Sequence, residues 1–143
     1  MIQGLFQSGS MQSLEHLTRF TSARHDLLTH NIANLTTPHH RAVDLSPEQF
    51  QASLRDAVDR RRRGADPVGG ELQLRDDAQM RVQGERVTFR PHVQDGVLFH
   101  DRGSRDLERT MQSLAENTLT HNAALELLRN QFDLLRAAIR ERP

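Results

Sequence analysis

Cysteine, lysine, tryptophan and tyrosine are all missing from this chain. Without cysteine there is no disulfide, no thiolate nucleophile and no cysteine-based zinc site. Six Phe are the whole aromatic complement, 4% of residues, and the apolar fraction is only 36%. A core is therefore possible only where apolar side chains are concentrated. Nineteen basic residues, every one arginine, balance nineteen acidic ones. That balance leaves no net field to steer the chain toward nucleic acid or an anionic membrane. No stretch approaches the roughly 20 apolar residues that span a bilayer. The opening MIQGLFQSGSMQS has neither a basic n-region nor an apolar h-region, so it does not read as a cleavable secretory signal. Enzyme signatures are also lacking: there is no Gly-rich phosphate loop and no GxSxG elbow. The acid pair Asp76-Asp77 has no evident neighbour to divide the roles of acid and base. The expectation is a chain that is not an enzyme, with no cofactor, no small-molecule substrate and no nucleic-acid partner.

What the chain does have lies mostly at its two ends. Its 143 residues have the length of one domain. From Ser8 to about Asn34, Leu14, Leu17, Phe20, Ala23, Leu27, Leu28 and Ile32 recur at spacings near three and four, which predicts an amphipathic helix. Pro38 predicts its stop a few residues upstream. Ser46-Pro47-Glu48-Gln49 reads as a new start, with Ser as N-cap, Pro at the first helical position and Gln where a capping box wants it. Phe50, Leu54 and Val58 then give a short helix over about 47–62 one apolar stripe. From Gly64 to Gly103 turn residues dominate. Glu71–Arg75, Arg81–Gln83, Val87–Arg90 and Val97–Phe99 have weak period-two character, and Gly84-Glu85 could turn a hairpin. So few apolar residues predict no large independent core in this middle and make it the expected mobile part.

The last segment carries the strongest pattern. Stepping alternately four and three residues from Leu107 meets Met111, Leu114, Thr118, His121, Leu125, Leu128, Phe132, Leu135 and Ile139. A repeat of 3.5 residues held over more than four heptads predicts a coiled-coil seam on a helix about 50 Å long. Ser104 is its expected N-cap. A second line, Ala115, Leu119, Ala123 and Leu127, continued by Leu134 and Ala138, widens the apolar arc. A helix so apolar contacts more than one neighbour. The N-terminal helix is the natural first partner, with Leu17, Phe20, Leu27 and Ile32 facing Leu114, Leu125, Leu128, Phe132 and Leu135. The second line, with Leu119 and Leu127 at its centre, is left for other subunits, unless the middle segment folds over it.

Two polar features need weighing. His121 and Thr118 interrupt the seam, and a polar residue at a seam position specifies register at some cost in stability. His25, His30, His39 and His40 fall within sixteen residues and raise a metal site. His25 and His30, however, are five apart and lie off a shared helical face, and the HExxH spacing is absent. Arg60 to Arg63 could hold phosphate or anionic lipid. Flanking Asp56, Asp59 and Asp66, with no aromatic platform, favour a solvated helix end.

The stretch from Arg24 through Asn31-Ile32-Ala33-Asn34 to Thr37-Pro38, followed by Arg41-Ala42 and Asp44, resembles the N-terminal signature of flagellar axial proteins. The run DLERTMQSLAENTLTHNAALELLRNQFDLLRAAI resembles the C-terminal helix of the proximal-rod (FlgB) type of that family. The two segments cover roughly half the chain, in the family's order. Departures are His39-His40 where the family's turn carries Gly-Tyr, and Asp101-Arg102-Gly103-Ser104 in place of a DGN-like element. Glycine accepts φ > 0 cheaply, so His39 predicts either a different turn or local strain.

The resemblance implies a structural subunit of the bacterial flagellar basal-body rod, with terminal helices that pair and pack into a hollow axial tube. It implies as partners copies of the chain, other rod proteins, the basal-body membrane ring and rod-base adaptor, and the flagellar export apparatus that carries it to the periplasmic rod. Asn31, Asn34, Thr37 and Pro38 would then form a joint at the helix end, the asparagines satisfying orphan carbonyls or cross-subunit amides. The expected fold is mainly α, with long terminal helices paired as a coiled-coil hairpin. Residues 1–35 form the N-terminal axial helix, 36–103 the irregular or weakly β middle with its short helix, and 104–143 the C-terminal axial helix. The alternative is a cytoplasmic helical adaptor, or a metal-binding protein with a His site, built on the same hairpin.

Overall fold

A computed structural model describes residues 9–64, 70–84, 86–93 and 107–140. Three helices dominate: α1, Gly9–Ala33; α2, Pro47–Arg63; and α3, Leu107–Arg140. Four short strands accompany them: β1, Val43–Asp44; β2, Met80–Gln83; β3, Arg86–Phe89; and β4, His92–Val93. The fold is mainly α, and α1 and α3 pack along one another as the predicted hairpin. Val97–Phe99 and the Ser104 cap lie outside the described residues.

Local chemistry accounts for the middle elements. Ser46 caps α2: its hydroxyl accepts the Gln49 N–H at 3.2 Å and donates to Glu48 Oε2 at 2.8 Å, with Pro47 at the first helical position. The Glu48 carboxyl is held below the usual carboxylate range, first by its own backbone N–H and then by Ser46. The other half of the capping box does not form through Gln49. The Ser46 N–H instead donates to Gln79 Oε1 at 2.8 Å, and Gln79 Nε2 donates back to the Ser46 carbonyl at 3.0 Å. A buried glutamine 33 residues away thus brackets the start of α2. Gly84, at φ 61°, turns the β2–β3 hairpin in the left-handed region that glycine enters without strain. Glu71–Arg75, expected as a short strand, is extended but pairs with no strand among the described residues. β1 pairs antiparallel with β4, Val43 opposite Val93, a pairing that two residues per strand give no pattern to predict.

The packing corrects one expectation. The main buried cluster lies between α1 and the middle segment, not between the two terminal helices. Leu45, Phe50, Ala57, Leu72, Leu74 and Met80 gather around Phe20. Phe20 stacks on Phe50 with ring centroids 4.2 Å apart and meets the Phe89 ring edge-on at 5.7 Å. The middle is sparse in apolar residues, but alternation concentrates them: Leu72 and Leu74 are buried while Glu71, Gln73 and Arg75 are exposed. This core is shared with α1 rather than independent.

Candidate assembly surface

Thr21 is the central residue of the 25 in α1, and it fixes where α3 lies. The Thr21 hydroxyl lies 2.9 Å from the Leu17 carbonyl of its own helix and hydrogen-bonds across to His121 Nδ1 at 2.8 Å. Asn117 Nδ2 donates to the Thr21 carbonyl at 2.8 Å in a buried setting. His121 therefore has the pinning position that its place in the seam predicts. Asn117 is its unforeseen companion. Thr118 bonds only within its own helix, to the Leu114 carbonyl.

The seam itself is turned from its predicted register. The buried residues of α3 are Thr110, Asn117 and Ala124, with Leu114, His121, Leu128, Gln131 and Leu135 half-buried beside them. Leu114, His121, Leu128 and Leu135 are common to the predicted and observed seams. The predicted Met111–Thr118–Leu125–Phe132–Ile139 line gives way to Thr110, Asn117, Ala124 and Gln131, a rotation of about 50°. Leu125 remains half-buried, whereas Met111 is 55%, Phe132 41% and Ile139 58% exposed. The physical reason is contact distance and hydrogen bonding. Small or polar side chains at 110, 117 and 124 admit α1 closely, and Asn117 is satisfied there by the Thr21 carbonyl.

The N-terminal residues divide likewise. Leu17, Phe20 and Leu27, expected to face α3, pack against the middle cluster. Ile32 is half-buried at the end of α1. Fully buried Leu28, one heptad from Thr21, continues the Thr21 side of the helix. α1 is apolar over a wide arc, and two neighbours share it.

What α3 leaves uncovered is the second apolar line. Leu119 is 71%, Leu127 54% and Leu134 65% exposed, with Ala115, Ala123 and Ala138 exposed between them. Among the described residues the middle segment does not fold over it. Cover also thins toward the C-terminal end of α3. Burial fades there, and beyond Gln131 only Leu135 is half-buried.

The joint after α1 is built from polar clips. Asn34 donates twice to the His30 carbonyl, from its backbone N–H at 3.1 Å and from Nδ2 at 2.9 Å, and so closes the last turn of the helix. Asn31 is buried and uses both ends of its amide on the backbone of one residue: Nδ2 donates to the Val43 carbonyl at 2.7 Å, and Oδ1 accepts the Val43 N–H at 3.2 Å. Its contact is within the chain. Arg24 and Asp44 form a buried two-point ion pair at 2.9 and 2.8 Å, and Asp44 Oδ1 also accepts the Leu45 N–H. Thr37 N–H closes a turn on the Asn34 carbonyl, Pro38 is exposed, and His39 sits at φ 62°. His39 therefore occupies the left-handed region, which costs a non-glycine residue some strain.

No family model and no curated protein matches this chain.

The remaining candidates are quickly placed. His30 and His40 come into edge-on ring contact at 5.6 Å, but no group of three or more metal-ligating side chains forms among the described residues. Arg60 pairs with Asp56 one turn earlier at 2.9 Å, on a mostly solvated helix. No described helix is long and apolar enough to cross a membrane.

Proposed function

We propose that this chain is a structural subunit of the bacterial flagellar rod, which polymerises through its terminal helices into a hollow axial shaft. The observation that carries the reading is the outward apolar surface of α3. Leu119, Leu127 and Leu134 on one side, and Met111, Phe132 and Ile139 on another, are exposed along a helix whose own partner takes its small and polar line and the leucines beside it. Full burial of each such side chain against a neighbour contributes about 1.5–3 kcal/mol. Several of them together supply the drive for assembly on more than one face, as a tube of packed helices requires. The sequence resemblance at both ends supplies the kind of assembly. On this reading the partners are copies of the chain, other rod proteins, the membrane ring and rod-base adaptor, with the flagellar export apparatus delivering the subunit. Its work is packing rather than catalysis.

The test uses Leu119→Glu and Leu127→Glu. Both positions are exposed in the single chain, so the variants are expected to keep its unfolding free energy in urea within about 0.5 kcal/mol while losing incorporation into purified basal bodies and motility. Normal swimming with both substitutions, or a wild-type chain confined to the cytoplasm and absent from basal bodies, would overturn the reading.

A further inference from the structure

A cleft of about 450 Å³ opens between the N-terminal half of α1 and the middle segment. Gln12, Glu15, His16 and Arg19 form one wall; Leu72, Leu74, Val82 and Val87 give the other its apolar lining. Gln12 Oε1 accepts the Leu72 N–H at 2.7 Å and ties the walls together. His16 is half-buried between them. The charged groups lining the cleft with it are Arg19 and Glu15 on its own helix, paired with each other at 2.6 Å, and Glu71 on the extended segment.

We infer that this cleft is an acid-sensitive latch: protonation of His16 loosens the docking of the segment from Glu71 to Phe89 on α1. An imidazolium here loses hydration to the apolar wall and stands near the Arg19 guanidinium, while Glu15, already engaged by Arg19, offsets only part of that cost. These causes lower the proton affinity of docked His16, burial first, Arg19 second, with Glu15 opposing. Undocking returns water to the imidazole and removes the burial cost, the largest of these causes, so its proton affinity rises toward the ordinary value of about 6.5. The undocked form therefore binds the proton more tightly. Docking keeps its full strength above about pH 6.5 and weakens as pH falls below it. Local opening of this kind is read by exchange of the amides it frees.

Amide exchange on the full chain, corrected for intrinsic rates, tests this between pH 7.5 and 5.5. Protection of the Leu72 amide and of the β2–β3 hairpin is expected to fall several-fold on acidification, while that of residues 114–124 of α3 holds. His16→Gln should flatten the response. Glu15→Gln, which removes the opposing carboxylate, should steepen it, and so tests the latch even if His16→Gln folds poorly. Equal acid response in wild type and His16→Gln, or a His16 ring that titrates at or above its ordinary value, would overturn the latch.

Discussion

At the scale of single residues, the polar groups buried away from water decide most. Arg24 and Asp44 are each over nine-tenths buried and meet at two points. Replacing such a pair by well-packed apolar residues is often neutral, but removing one partner strands a charge. Asp44→Ala is therefore expected to cost about 3–5 kcal/mol in urea unfolding, far more than its truncation to a small side chain suggests. His39 tests the opposite sign. A non-glycine residue in the left-handed region costs about 1–2 kcal/mol, which exceeds the extra chain entropy that glycine loses on folding. His39→Gly should raise stability by up to about 1 kcal/mol, read as a higher melting temperature with the same spectrum. The Arg24–Asp44 pair does not show in a hydropathy pattern, because burial of a polar side chain depends on its partner.

At the scale of elements, α2 shows what local sequence can and cannot specify. Its N-terminus was legible in Ser46-Pro47-Glu48-Gln49, because an N-cap and a proline at the first position are local chemistry. The residue that brackets that cap, Gln79, is 33 positions away and was not legible. Gln79→Ala leaves the Ser46 N–H and carbonyl without these partners, and a loss of about 1–3 kcal/mol is expected in chemical denaturation. α3 repeats the lesson. Its extent and its heptad period were readable, and four seam residues fall in both the predicted and the observed seam. The pattern pointed to the greasier flank, because periodicity records where apolar residues lie and not which of them a given neighbour covers. α1 chose the line where Asn117 and His121 could both reach Thr21. The stacked pair Phe20–Phe50 was hidden for a related reason: each ring was visible in its own stripe, but nothing local paired the stripes.

At the scale of the whole molecule, the chain divides its apolar surface between an inner use and an outer one. Phe20 and the middle cluster hold the chain together, while Leu119, Leu127 and Leu134 of α3 stay exposed. Hydrogen exchange in dilute solution should separate the two ends of that helix. Amides from residue 132 to 140, with no facing helix among the described residues, are expected to exchange much faster than those from 110 to 128, and to slow once the chain assembles. Uniformly slow exchange along α3 at low concentration would mean that something already shields its end. The exposed end of α3, where Ile139 is 58% exposed, also offers a docking gauge. Because the chain has no native thiol, an environment-sensitive dye on a single cysteine introduced at Ile139 would label one site, and its emission would report the arrival of the next molecule as a shift to the blue.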